Sequence, residues 1–464
     1  VTVLALFAVL LLGTGLLATA LPAPAPRGLV LVLGACLGLA AFSASYAASL
    51  FALGGSPGVR AAKDLLLALA GLLLLWRSRV AFRTDARLTR PMRAAAPEPQ
   101  APRWLWALFL CACALCSVLF VEHTLRFPDG GWDAWMIWNL RARWLARAAQ
   151  GFQTAFSPDL VFWAHQDYPL LVPGLVAQGF LLTGSESPAV PAAIAFSLAA
   201  LSVSLLAVSL AQLRGLRWGL LGGLTLLATP SFVSFAANQQ ADVPLGLFVL
   251  CACVPLALAL EQDQQPGLLA LSGAAASAAA WTKNEGLLYL LLLAAALVFA
   301  PRPQALRARA RDLSLFLFGA LPVLALLLFF KLEYAHTNDL VHFTSSQSAL
   351  ERLTDLSRWS QLVLALARRV VYFQDWALFL LAELLALIFL VPRLPGRPST
   401  RVLGLFLGMS ACAWIPMYIL QPHPLLWFFR ASIDRLVNHL WPAILLTMFL
   451  LLAGSGPDPT PTKT

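Results

Sequence analysis

Of the 464 residues, 60% are hydrophobic and only 12% charged, and the mean hydropathy is +0.77, far above ordinary globular usage. These values exclude a water-soluble enzyme and point to an all-α polytopic membrane protein, because a helix satisfies its own backbone where no water can. The net charge of +10 does not indicate nucleic acid. The arginines fall in short loops between apolar runs, which is how membrane orientation is written.

Three apolar runs, about 1–20, 28–53 and 59–76, come first. The opening one imitates a secretory signal, ending Ala18-Thr19-Ala20, but lacks a basic leading region. Next, Arg77, Arg79, Arg83, Arg87, Arg90, Arg93 and Arg103 stand against only Asp85 and Glu98, so this loop is expected on the cytoplasmic side. Alternation then follows. Run 104–121 crosses outward and delivers 122–188 outside, 189–212 returns, 218–236 exits and 243–260 returns. A short pair, 268–282 and 286–300, turns outside at Lys283-Asn284-Glu285 and ends in the basic loop 301–312; 313–330 exits, 376–391 returns, 402–420 exits and 437–454 returns. The total is about 13 transmembrane helices, each long enough for a hydrocarbon core of about 30 Å. The chain divides into an N-terminal extension with its basic loop (1–103), a transmembrane core (104–454) and a polar cytoplasmic tail (455–464).

The seven cysteines all fall inside apolar runs, where a thiol acts as a small hydrophobe, so neither a disulfide nor a zinc site is implied. No internal repeat is visible, and no mirrored pair of broken helices marks a transporter.

The polar residues most in need of explanation gather on the expected outer face: Asp133, Asp167, Asp242, Lys283, Glu285, the segment around His336 and His342, and the stretch Arg430 to His439. Segment 122–188 holds Trp132, Trp135, Trp138, Trp144 and Trp163, and tryptophan favours the headgroup level. In 133–149, Asn139, Arg143 and Arg147 recur every fourth residue beside Met136, Leu140 and Trp144, which predicts an interfacial juxtamembrane helix with its Arg face toward lipid phosphates.

In order along the chain come an Asp beside aromatics (Gly130-Gly131-Trp132-Asp133-Ala134-Trp135), an acidic Tyr-Pro turn (His165-Gln166-Asp167-Tyr168-Pro169-Leu170), an Ala-Asp-Val-Pro turn (Asp242), a Thr-Lys-Asn-Glu-Gly turn (Thr282 to Gly286) and Asp434-Arg435-Leu436 before Trp441-Pro442. This order over about 104–454 resembles the C-type glycosyltransferase superfamily, and within it the lipid A aminoarabinose transferases and protein O-mannosyltransferases. The resemblance implies a membrane glycosyltransferase that takes a sugar from a polyprenyl-phosphate carrier and passes it, with inversion, to a glycan, lipid or protein acceptor at the outer face. A bacterial inner membrane with the site facing the periplasm is the expected location.

Inverting transfer needs a carboxylate to take the acceptor's proton and cations to stabilise the departing phosphate. By the resemblance, Asp133 is the base. Asp242 assists it, binds acceptor, or shares a divalent cation such as Mg²⁺ or Mn²⁺ with it. Lys283 and Arg435 are the phosphate ligands, with Arg141 and Arg143 in reserve; Asp167, Tyr168 and Glu285 complete the substrate-binding set. Where the aminoarabinose transferases have Glu-Lys-Pro-Pro, this chain has Asp167-Tyr168-Pro169-Leu170, so a phosphate-binding lysine is missing there.

Plainer readings compete. Asp133 suits an N-cap, Asp242 with Pro244 reads as a helix start, Asp167 as a turn residue, and Lys283 with Glu285 as a snorkelling or mutually paired couple. His336 and His342 read as solvated loop residues, and His439 as a hydrogen-bonded histidine on the face of Arg435. A lipid-linked polysaccharide polymerase or ligase would carry its large outer loop late rather than early. A transporter or flippase of lipid-linked sugars would line the bilayer midplane with charge, for which Glu383 is the clearest single residue.

Overall fold

The computed structural model describes residues 2–21, 26–84, 101–147, 151–157, 159–160, 164–261, 265–335, 346–373, 376–377, 397–421 and 423–453. His336, His342, Glu383 and the expected span 376–391 therefore lie outside the described residues except for 376–377, and so does most of the Arg-rich loop.

The protein is all-α. In chain order the helices are α1 (Thr2–Ala20), α2 (Arg27–Leu53), α3 (Pro57–Thr84), α4 (Arg103–Arg126), α5 (Asn139–Ala146), α6 (Leu171–Thr183), α7 (Ala189–Arg214), α8 (Leu216–Leu227), α9 (Pro230–Ala237) and α10 (Asp242–Glu261). There follow α11 (Pro266–Thr282), α12 (Asn284–Phe299), α13 (Leu306–Glu333), α14 (Ser346–Thr354), α15 (Leu356–Val371), α16 (Pro398–Leu420) and α17 (Leu425–Leu452). A two-residue antiparallel pairing, Tyr372–Phe373 with Trp376–Ala377, is the only strand among the described residues.

Among the described residues, seven helices are long and apolar enough to cross a membrane, fewer than the 13 or so expected: α2, α4, α7, α10, α13, α16 and α17. An eighth arises if α8 and α9, bent by 64°, count as one span. The expected continuous run 218–236 breaks there because Pro230 cannot donate to the preceding turn, while Thr229 and Ser231 turn to α17 through Trp441 Nε1 (2.8 Å) and Asn438 Nδ2 (2.7 Å). α3 also continues past the expected end at 76, so Arg77 and Arg79 are helical rather than loop residues.

The helix α10 is the central rod. Every residue from Asp242 to Ala259 is buried, as expected of a helix apolar on all sides. α2, α7, α11 and α17 pack around it. By contrast α4 buries only Leu105 and Phe120 and exposes Trp104, Leu108, Leu110, Leu115, Val118 and Leu125, the surface of a helix that meets lipid on most sides. The N-terminal helices join the same core: Ser43 Oγ donates to the Leu171 carbonyl (2.8 Å), Tyr46 Oη to that of Leu145 (2.8 Å), and Lys63 Nζ to Gln178 Oε1 (2.7 Å).

Two polar clusters mark the two ends of the bundle. At one end Glu261 accepts from both Arg214 Nη atoms (2.9 Å each), from Arg397 Nη1 (2.9 Å) and from Ser399 Oγ (2.5 Å), and Arg214 Nε reaches the Leu450 carbonyl (3.3 Å). That cluster joins the ends of α7, α10 and α17 to the start of α16, all of which the alternation assigns to the cytoplasmic side. At the other end the start of α10 meets the α11–α12 turn and α17. Segments distant in sequence share this end, and the candidate site lies here.

Candidate active site

The turn between α9 and α10 aligns the first acidic loop. Gly130 has φ +77°, and a Cβ there would come within 2.8 Å of the Asn238 carbonyl, so only glycine fits against that turn. The Gly131 amide donates to that carbonyl (2.9 Å), Asn139 Nδ2 to Gln239 Oε1 (2.9 Å), and Gln239 Nε2 to the Pro128 carbonyl (3.1 Å); His123 Nε2 lies 3.0 Å from Asn238 Oδ1. These bonds hold residues 128–139 beside the start of α10.

Asp133 then opens one turn of π-helix, Ala134–Trp138, which the Asn139 amide closes onto the Ala134 carbonyl. Such turns insert a residue and re-aim side chains. Asp133 has helical dihedrals (φ −60°, ψ −34°) and makes no capping bond. Its carboxylate instead accepts from Arg435 Nη2.

The same guanidinium reaches Asp242. Arg435 Nε lies 3.4 and 3.3 Å from the two Asp242 carboxylate oxygens, and Nη2 lies 3.3 Å from Oδ2. Arg435 thus bridges two carboxylates that lie 109 positions apart in the chain. It is on α17 because that helix begins at Leu425, twelve residues before the expected span, which puts His439 one turn after Arg435 on the same face. The close approach of α10 to α17 depends on Gly246, where a Cβ would meet the Asn438 carbonyl at 2.7 Å.

Behind Arg435, Asp242 is fully buried and receives Lys283 Nζ at 2.9 Å and His439 Nε2 at 2.6 Å, both on Oδ1. The Tyr289 hydroxyl lies 3.3 Å from His439 Nδ1. A neutral ring with Nε2–H donating to Asp242 and Nδ1 accepting from Tyr289 satisfies both contacts. Lys283 also lies 3.2 Å from Glu285 Oε1. The other Glu285 oxygen, Oε2, is buried without a hydrogen-bond partner among the described residues.

A second cluster adjoins through Asn284. Asp167 Oδ2 accepts from Asn284 Nδ2 (2.7 Å); Lys331 Nζ, at the end of α13, donates to Asn284 Oδ1 (2.7 Å) and to the Asp167 carbonyl, and lies 3.5 Å from Asp167 Oδ2. Next to Asp167, Tyr168 stacks between Trp138 (5.5 Å) and His165 (4.8 Å), with Lys283 Nζ 5.9 Å from its ring centre. Burial holds its hydroxyl well above the usual phenol range, so it stays neutral.

The structure therefore brings Asp133, Asp242, Lys283, Glu285 and Arg435 into one contact network, with Asp167 and Tyr168 beside it. Three expected phosphate ligands are placed differently. Lys283 is almost fully buried, with its ammonium turned to Asp242, Glu285 and His439. The Arg141 guanidinium donates to the carbonyls of Ala164 (2.9 Å), His165 (2.6 Å) and Tyr168 (2.8 Å), so its donors are occupied in stapling the 164–168 turn, and burial lowers it to about 10. Arg143 faces Asp129 and Glu186 at 3.7 Å, and Arg147 forms a two-pronged pair with Glu186 (2.7 and 2.5 Å). The expected Arg face of 133–149 is thus engaged with the α6–α7 loop, and Asn139 and Arg141 of the same segment point inward. The hydrogen bonds from Arg147 hold the Glu186 carboxyl below its ordinary value.

Residues absent from the expected set are His439 as a direct partner of Asp242, Tyr289, Asn284 and Lys331. His439 carried a signal, its i+4 spacing from Arg435. Lys331 carried one too, as the first cation after the apolar run 313–330.

A divalent cation bridging Asp133 and Asp242 would need the space that Arg435 fills. Among the described residues, no three His, Cys, Asp or Glu side chains gather into a metal-binding group. This donor set does not fit a resident Mg²⁺ or Mn²⁺.

Residues 167–330 match the sequence profile of the dolichyl-phosphate-mannose-protein mannosyltransferase family. The C-type glycosyltransferase resemblance holds. The match spans Asp167, Tyr168, Asp242, Lys283, Asn284, Glu285 and Tyr289, and leaves out Asp133, Lys331, Arg435 and His439. No curated protein and no solved structure matches the chain. The family match covers about a third of the chain and, with the apolar helices, supports a membrane glycosyltransferase of the C type.

Proposed function

We propose that this C-type glycosyltransferase moves a sugar from a polyprenyl-phosphate carrier to a glycan, lipid or protein acceptor at the extracytoplasmic face of a bacterial inner membrane, with inversion at the anomeric carbon. The observation that carries the reading is the Arg435 bridge between Asp133 and Asp242, because it sets a carboxylate and a cation side by side at the rim of one cluster. Their side chains are 14% and 27% exposed, whereas Asp242 and Lys283 behind them are at 0% and 2%. The rim pair is accessible to substrate, and the inner pair supports it.

In this reading Asp133 accepts the proton of the acceptor hydroxyl as its oxygen attacks the anomeric carbon. The bond from that carbon to the phosphate oxygen breaks, and Arg435 stabilises the charge gathering on the departing lipid phosphate. Asp242 holds Arg435 in place and is itself balanced by Lys283 and His439, an arrangement in which a buried charge is paired and hydrogen-bonded as it must be. Lys283 is then a positioning residue. The Glu285 carboxylate, on a side chain 25% exposed, is an acceptor for a hydroxyl of the donor sugar.

The test is stereochemical. Full-length protein in lipid nanodiscs, given a polyprenyl-phosphate sugar of known anomeric configuration, should yield product of the opposite configuration; retention would rule out the single displacement. Labelling of a cysteine at position 133 by a membrane-impermeant reagent should succeed from the extracytoplasmic side only.

A further inference from the structure

We propose that Lys331 is a second ligand for the donor phosphate, held ready by Asp167 and Asn284; this rests on the lipid-phosphate donor of the reading above. An ammonium carries three N–H donors. Two are engaged with the Asp167 carbonyl and Asn284 Oδ1, and toward Asp167 Oδ2 there is only an ion contact at 3.5 Å. The third faces Asp167 Oδ2 across that long contact, where a phosphate oxygen can take the carboxylate's place without breaking the other two, and the side chain is 27% exposed, matching Arg435 and unlike Lys283.

Charge leads to the same residue. Arg435 is already shared between Asp133 and Asp242, and Lys283 is enclosed by Asp242, Glu285 and His439. A phosphate brought beside these carboxylates needs a further cation to offset the repulsion. Lys331 reaches Asp167 and Asn284, the sequence neighbours of Tyr168 and Lys283, and Lys283 Nζ lies 5.9 Å from the Tyr168 ring centre.

The position of Lys331 is fixed by packing rather than by its own flexible stem. Phe330 on α13 and Tyr334 just past its end stack with Phe51 at 6.4 and 4.8 Å, and Phe156 packs on both at 5.4 Å. This aromatic box ties the end of α13 to α2 and to the 3₁₀ turn at Phe152–Phe156. Lys331 also lies one residue beyond the family match, so that match assigns it nothing.

The test measures binding of a sugar-free polyprenyl monophosphate to full-length protein in nanodiscs, alongside transfer kinetics. Lys331→Gln removes the charge and leaves a polar side chain one atom shorter; it should weaken lipid-phosphate binding about tenfold and raise KM for the donor. Lys331→Arg, which restores the charge, should recover most of the affinity. Wild-type affinity in a folded Lys331→Gln protein, or a loss confined to kcat, would overturn the assignment while leaving the donor class intact. Failure of the wild type itself to bind or use any lipid phosphate would remove the donor class and Lys331 with it.

Discussion

Replacing Arg435 by alanine separates the two roles this residue serves. Its guanidinium contacts Asp133 and lies 3.3–3.4 Å from Asp242, so its loss leaves two carboxylates facing each other. Removing one partner of a buried pair costs about 3–5 kcal/mol. Here Asp242 retains Lys283 and His439, and the Arg435 and Asp133 side chains are partly exposed, so solvent screening lowers the expected destabilisation to about 1–3 kcal/mol. Loss of the cation at the departing phosphate should lower kcat by about 10²–10³, the range for losing one transition-state donor. The two effects are separable. Adding Asp133→Ala to Arg435→Ala removes one of the two unbalanced carboxylates and should restore thermal stability without restoring transfer. Thermal unfolding in detergent and initial rates of label transfer would be measured for both singles and the double. Strictly additive stability changes would refute the bridge, and a kcat within threefold of wild type in Arg435→Ala would refute its place in the chemistry.

Gly246→Ala should push α17 from α10 at the Asn438 carbonyl, destabilising the fold by about 1–3 kcal/mol through overpacking and lowering transfer by displacing Arg435 and His439 from Asp242; a circular-dichroism melt and a rate assay check both. Glu261→Gln breaks the cluster at the far end of the bundle and should cost about 2–4 kcal/mol of stability, yet leave transfer per folded molecule unchanged. Since the Glu186 carboxyl is held below its ordinary 4.5 by Arg147, its contribution is complete above that value and is lost as pH falls through the lower folded value. Protection of the α5 amides, taken relative to intrinsic exchange at each pH, should therefore fall in acid, and Arg147→Ala should abolish that step.

The membrane class and most helices could be read from apolar run length alone, because that signal is averaged over about twenty residues. The α11–α12 pair turning at Lys283 was legible for the same reason. The break between α8 and α9 was not, since a continuous apolar run conceals a bend that Pro230 and side-chain bonds from α17 create. The candidate acids were legible because a charged residue beside an apolar run needs a reason to be there. Which cations meet them was not. Arg141, Arg143 and Lys283 look equivalent to Arg435 in sequence, and only the three-dimensional count of occupied donors separates an arginine stapling three carbonyls from one shared between two carboxylates. His439 and Lys331 depended on helix phase and on where α17 and α13 begin and end, the features run length defines least well.

The central claim is that Asp133 is the base of a transfer from lipid phosphate. It is tested most directly by giving purified full-length protein polyprenyl-phosphate sugars labelled in the sugar and following loss of label from the lipid, for wild type and Asp133→Asn. The account predicts transfer by the wild type from at least one such donor and a rate lower by about 10²–10⁴ in the variant, with donor affinity within threefold. Transfer at equal rates by both proteins, or no transfer by the wild type from any lipid-phosphate sugar, would contradict it.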